Sequence, residues 1–95
     1  MRHEIILAPE AVRDLSNLKA FERAKVKDAL ERHLRTEPAK TSTTRIKRLR
    51  GMSRPQFRLR VEEIRVFYDV REGVVEVLAI VPKSRAAEWL QSEGE

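Results

Sequence analysis

Hydrophobic positions change period along this chain, and each change predicts a change of element. His3 to Ala8 holds a short apolar run, Ile5-Ile6-Leu7, that reads as a first, largely buried strand. Ala8, Ala11, Val12, Leu15 and Leu18 then recur at helical spacing and predict a helix from Pro9 to Leu18. Pro9 suits the first turn, where its missing N–H costs nothing, and Glu10 and Asp14 complement the helix dipole there. Val26, Ala29, Leu30, His33 and Leu34 trace a second stripe, in a helix that begins near Phe21 and ends near Thr36–Pro38. Two such helices form an antiparallel hairpin that must lay its apolar face on another layer.

The period then falls to two. Ala39–Pro55 is Thr/Ser-rich and then basic, broken by Gly51 and Pro55, and reads as a connecting loop with room for a helical turn around Ile46 and Leu49. Phe57–Val61 and Ile64–Arg71 predict a β-hairpin reversing at Glu62-Glu63, with Val61 opposite Ile64, Leu59 opposite Val66 and Phe57 opposite Tyr68. Glu72-Gly73 marks a second reversal. The strand after it, Val74 to Val81, would set Val70 against Val75, Tyr68 against Val77 and Val66 against Ala79. Pro82 ends that strand, Ser84 would cap a short helix carrying Ala86, Ala87, Trp89 and Leu90, and the polar tail Gln91–Glu95 is expected to fray. The order β-α-α-β-β-β-α predicts one α+β domain over residues 1–95, a helical hairpin on a mostly antiparallel four-stranded sheet. Ile64, Val66, Tyr68, Val70, Val75, Val77, Ala79 and Val81 would face the helices. Arg58, Arg60, Arg65, Phe67, Leu78 and Ile80 would share the other side.

Charge gives that second side its interest. The 95 residues carry a net charge of +5 and no Cys, so packing alone holds the core. Lys40, Arg45, Lys47, Arg48, Arg50, Arg54, Arg58 and Arg60 fall between Pro38 and Val61 without one acidic residue. Such a focused field attracts polyanions, nucleic acid first, with an anionic membrane or an acidic protein behind it. Arg60 is predicted opposite Arg65, and like charges facing each other across a ladder are destabilising. Keeping them points to a bound anion; the plain alternative is a sheet face solvated by arginine. Arg45, Lys47, Arg48, Arg50 and Arg54 read equally well as an RNA-contacting surface or as a soluble loop. The N-terminal apolar run is too short for a signal peptide and no stretch reaches membrane-spanning length, so a cytoplasmic protein is expected. No metal or other cofactor is expected, since His3 and His33 lie far apart and no Asp/Glu/His cluster has ligand spacing. A Cys nucleophile, a Gly-rich phosphate loop and a serine elbow are all missing.

The element order and the phrases Lys-Arg-Leu-Arg-Gly (47–51), Phe-Arg-Leu-Arg-Val (57–61) and Ile-Arg-Val-Phe-Tyr-Asp-Val (64–70) resemble the RelE branch of the RelE/ParE toxin superfamily over nearly the whole chain. The resemblance implies the toxin of a two-gene toxin–antitoxin pair. RelE-type members enter the ribosomal A site and cut mRNA without a metal; ParE-type members poison DNA gyrase, and each is neutralised by a small antitoxin. By the same resemblance, Arg58 and Arg60 match two cationic positions on a strand, and Arg65 matches the arginine that contacts the scissile phosphate. Lys83 or Arg85 takes the place of a basic residue after the last strand. An acidic antitoxin, the ribosome and mRNA are then the expected partners, in a toxin–antitoxin hetero-oligomer. Phe67, Leu78, Ile80 and Trp89 would form an antitoxin groove, unless the last helix buries the first three and Trp89 anchors it. The sequence departs from the pattern at Glu62-Glu63, where relatives often place Gly, and in lacking the C-terminal tyrosine that assists catalysis, Trp89 being the nearest aromatic.

Cutting RNA through its own 2′-OH needs a base, stabilisation of the crowded phosphorane, and protonation of the leaving oxygen. Guanidiniums supply the second by bidentate contact and preorganised charge. Arginine is a poor base because its proton is held too tightly. Lys83 is the candidate base, with Glu62 and Glu63 as alternatives.

Overall fold

The computed structural model describes residues 2–95. The elements are β1 (Glu4–Leu7), α1 (Pro9–Asn17), α2 (Ala20–Ala29) with a π-helical turn continuing it (Leu30–Leu34), β2 (Ile46–Arg48), β3 (Phe57–Val61), β4 (Ile64–Arg71), β5 (Val74–Pro82) and α3 (Lys83–Glu93). The sheet runs β1-β5-β4-β3-β2, with β1 parallel to β5 and the other pairs antiparallel. Ala11 of α1 and Val26, Ala29, Leu30 and Leu34 of α2 and its π turn meet Leu59, Val66, Tyr68 and Val77 in one core. The α+β class and the helical hairpin over an antiparallel sheet follow the sequence pattern.

The sheet has five strands rather than four. Ile46–Arg48, expected as loop or helical turn, pairs with β3 and sets Ile46 against Leu59, Lys47 against Arg58 and Arg48 against Phe57. Ile46 is buried while Lys47 and Arg48 are exposed, as in a short, charged edge strand that resists pairing with other chains. Ser42 starts it by accepting the Arg45 N–H on its Oγ at 2.9 Å.

The β3–β4 hairpin has the expected register from Phe57–Tyr68 to Val61–Ile64, and Glu62 turns the chain with φ of 54°. That left-handed backbone is strained for a residue with a Cβ; the Glu62 carboxylate is held by Lys25 Nζ at 2.7 Å. The β4–β5 register is as expected at Val70–Val75 and Tyr68–Val77, then slips: Phe67 faces Ala79, and Val66 faces Ile80 instead of Ala79. One extra residue, Leu78, forms a bulge, and a slip of one residue moves every later side chain to the other face. Ile80 therefore joins the helix-facing core, and Ala79 and Val81 leave it for the arginine side.

The last helix covers that arginine side. It begins at Lys83, directly after Pro82, with no side-chain cap, so Ser84 does not serve as one. The tail is tied down rather than frayed: Glu95 N–H donates to the Arg54 carbonyl at 2.8 Å, and Ser53 N–H donates to the Glu95 carbonyl at 2.7 Å. α3 thus crosses the sheet from the β3–β4 turn to the loop before β3.

Candidate functional site

Strand alternation places Lys47, Arg58, Arg60 and Arg65 on the face opposite the helical hairpin, in two neighbouring rows. Lys47, Arg58 and Phe67 form one row across β2, β3 and β4, and Arg60, Arg65 and Val81 form the next across β3, β4 and β5. Among the described residues, none of the four cations has a carboxylate within ion-pairing distance.

Arg65 is the fixed member. It is only 5% exposed, and its Nη1 donates to the carbonyls of Glu62 at 2.7 Å and Ile64 at 3.0 Å. Burial, and then the charges of Arg58 and Arg60, pull its pKa below the usual arginine value, with Glu63 opposing. Three guanidiniums therefore share one field, and the turn's own carbonyls preorganise one of them. Arg58 is half-buried, and among the described residues its enclosed Nε–H has no hydrogen-bond partner. A buried donor left unmade costs roughly 1–3 kcal/mol, more when charged. Arg60 is exposed. A phosphate at this face would relieve the Arg60–Arg65 repulsion and take up donors that the protein leaves free.

Lys83 reaches the same end of the sheet, because its backbone N–H donates to the Glu63 carbonyl at 2.7 Å. Its side chain is exposed beside Glu63, and Glu62, paired with Lys25, lies at the same turn. Arg85 points elsewhere: it borders a cavity of about 250 Å³ between α1 and α3, with Glu10, Asp14 and Trp89. There Asp14 accepts the Ile80 N–H at 2.9 Å, and burial pushes its carboxyl pKa up despite that bond and the nearby Arg85 charge.

The basic segment does not act as one surface. Lys47 joins the arginine rows, and Arg45 lies at their edge near α2. Arg48 turns to the other face and sits over the Phe57 ring at 5.1 Å. Arg54, expected to contact RNA, is spent on Asp69 at 3.3 Å and Glu76 at 3.4 Å. Arg50 is exposed on the loop. Reading Thr43–Arg48 as a strand would have found Lys47's place beside Arg58, since β-branched Thr43 and Thr44 lead into Ile46.

The apolar groove expected at Phe67, Leu78, Ile80 and Trp89 is closed. Phe67 is fully buried beneath Trp89, their rings stacked at 5.0 Å and 4°. Leu78 is buried at the bulge, and Ile80 faces the opposite layer. Trp89 Nε1–H donates to Glu10 at 2.6 Å and so fastens α3 to α1. Among the described residues, no group of three His, Cys, Asp or Glu side chains could hold a metal ion, and no helix is long and apolar enough to cross a membrane.

Residues 5–87 match the family model described as the ParE toxin of the type II toxin–antitoxin system parDE. No curated protein matches the sequence. Solved structures share the fold. A mutant of Escherichia coli toxin RelE in the free state superposes with a TM-score of 0.72 at 23% identity, over 98% of this chain and 94% of that one. The toxin–antitoxin complex RelBE2 of Mycobacterium tuberculosis gives 0.72 at 23% identity, over 86% of this chain and 99% of that one. The YoeB dimer of Staphylococcus aureus gives 0.61 at 17% identity, over 85% and 97%.

Proposed function

The chain belongs to the ParE toxin family of the RelE/ParE superfamily, the toxins of type II toxin–antitoxin systems, and we propose that it is a ribosome-dependent endoribonuclease that cuts mRNA and so stops translation. The observation that carries this reading is the set of guanidiniums without a carboxylate partner among the described residues: Arg58 and Arg60 on β3 and Arg65 on β4. They receive the scissile phosphate and stabilise the charge that builds on it as the adjacent 2′-OH attacks phosphorus and the 5′-oxygen leaves. Lys83 or Glu63, at the turn, takes the 2′-OH proton, and a proton from that group or from solvent water passes to the departing 5′-oxygen, leaving a 2′,3′-cyclic phosphate and a 5′-OH. The ribosome supplies alignment of the strand, which alone is worth several kcal/mol. No metal takes part in these steps. Arg85, placed beside Asp14, stands apart from the phosphate. In the cytoplasm a small acidic antitoxin would neutralise the toxin by covering the arginine rows in a hetero-oligomer. Relatives of the same fold have been solved as toxin–antitoxin complexes.

A second reading, inhibition of DNA gyrase, is favoured by the ParE description of the matching family. Induction followed by primer extension on a reporter mRNA separates the two. Discrete, codon-phased cuts that vanish in Arg65→Ala support the nuclease. Intact transcripts with loss of supercoiling support gyrase as the target and overturn it.

A further inference from the structure

Beyond the arginine rows, the last turn of α2 and the edge of the sheet enclose a groove made of two adjoining cavities of about 230 and 260 Å³ that share Arg32, His33 and Arg45. Its floor is built by the π-helical turn Leu30–Leu34, which carries Arg32 and His33; such irregular turns recur at functional sites. Its other wall is the strand edge, where the Arg60 N–H donates to the Arg45 carbonyl at 2.8 Å. Three acidic residues border the groove, and each is already paired with one cation: Glu62 with Lys25 at 2.7 Å, Asp28 with Arg32 at 3.3 Å, and Glu37 with Lys40 at 3.7 Å. Arg45 and Arg60 remain, and among the described residues neither has a carboxylate partner.

We propose that this groove is a second phosphate site for RNA, in which Arg45 and Arg60 grip the backbone and His33 hydrogen-bonds to it. Arg65 on β4, Arg60 on β3 and Arg45 just before β2 follow one another across the sheet, so Arg45 lies about 10 Å from Arg65. A strand held at the arginine rows thus continues into the groove with Arg60 between the two. The Ser42 Oγ that accepts the Arg45 N–H fixes the turn from which the Arg45 side chain departs. RNA as the ligand rests on the nuclease reading; the groove and its free charges do not. His33 supports the assignment from its own chemistry. Burial, and then the charges of Arg45 and Arg32, hold its pKa below the ordinary histidine value, with Asp28 opposing. An arriving phosphate offsets both cations and favours the protonated ring, which then donates to the anion.

Proton NMR titration of both histidines in the full chain tests this. It is run on the protein alone, with an uncleavable 2′-O-methylated RNA single strand, and with an RNA hairpin of similar length, each carrying a dye to report binding. The His33 midpoint is expected to rise by about one pH unit on binding, while His3, which borders neither cavity, stays in place. Arg45→Gln should remove most of that rise. A larger response to the single strand assigns the groove to mRNA; a larger response to the hairpin assigns it to folded RNA such as that of the ribosome. RNA that binds without moving His33, a rise that Arg45→Gln leaves intact, or no binding at low salt overturns the second site. Because cleavage is not measured, an inactive enzyme leaves this test standing.

Discussion

Arg60 and Arg65 face each other across the β3–β4 hairpin, and no carboxylate answers either guanidinium among the described residues. Elsewhere the protein pairs its charges readily. Arg54, Arg71 and Glu76 form a chain of contacts at the other end of β4, and Arg35 is clasped by Glu31. The hairpin could have carried the same solution, with Glu62 and Glu63 three and two residues from Arg65. Instead Glu62 reaches to Lys25. Repulsion is thus kept at one place in a molecule that relieves it in others, as a site awaiting an anion requires.

Arg65→Ala should cost cleavage far more than stability. Losing one oriented donor to a developing oxyanion lowers rates by about 100- to 1000-fold. The two bonds to the turn carbonyls are lost as well, but so is the repulsion from Arg58 and Arg60, so the unfolding free energy should change by only about 1 kcal/mol. Ribosome-programmed cleavage and urea unfolding on the same preparation measure the two effects. Equal losses in both would make Arg65 a structural residue.

Arg54 and Lys47 should part company, although sequence gave them the same role. Arg54→Ala deprives Asp69, only 7% exposed, of its cation. It should destabilise by about 1–2 kcal/mol, since Arg54 itself is partly in water. RNA affinity should hardly change. Lys47→Ala leaves a solvated edge strand intact and should leave the melting temperature within a degree or two, while weakening RNA binding and its salt dependence. Thermal melts and fluorescence anisotropy at two salt concentrations distinguish them.

These contrasts mark what the sequence could convey. The hairpin and its arginines were legible because alternation from Phe57 to Val61 and from Ile64 to Val70 is unbroken, and the turn fixes the register. The slip at Leu78 was not, because Val77-Leu78-Ala79-Ile80-Val81 is apolar throughout and no polar residue marks which side faces out. Strand β2 is too short for its period to register. The clasp of Glu10 on Trp89 and the bond from Ile80 to Asp14 join residues far apart in sequence, so only packing reveals them. For the same reason Arg54 looked like a free cation: its partners, Asp69 and Glu76, lie on two other strands.

Tyr68 predicts a pH dependence. Its ring is fully buried against Phe57, and its hydroxyl donates to the Pro38 carbonyl at 2.6 Å. Burial pushes its pKa well above the ordinary tyrosine value of 10.0. The unfolded chain therefore ionises first as pH rises past about 10, and the folded state holds its proton longer. Stability from this group is complete below that pH and falls by up to about 1.4 kcal/mol per unit above it. Tyr68→Phe should lose about 1–2 kcal/mol at neutral pH by orphaning the Pro38 carbonyl, and should lack the additional alkaline slope. Urea midpoints at pH 8, 10 and 11 for both proteins decide it; parallel curves would show that the slope arises elsewhere.

Trp89 should govern whether α3 stays on the sheet. No residue of α3 is fully buried, so the helix has few other anchors. Trp89→Ala removes both the stack on Phe67 and the bond to Glu10, and should cost about 2–3 kcal/mol, short of the value for a fully enclosed tryptophan. Trp89→Phe keeps the stack and loses only the indole N–H, so about 1 kcal/mol is expected, and Glu10→Gln should cost less than that. Loss of the anchor should also free the segment around Ser53 and Arg54, whose backbone pairs with Glu95 at the far end of the helix. Hydrogen exchange can see this directly. In Trp89→Ala the amides of Ser53 and Leu90 should exchange much faster than in the parent, while that of Val66, inside the sheet, should follow only the global change. Protection at Ser53 that survives the substitution would mean that the tail contacts, and not the indole, hold α3 in place.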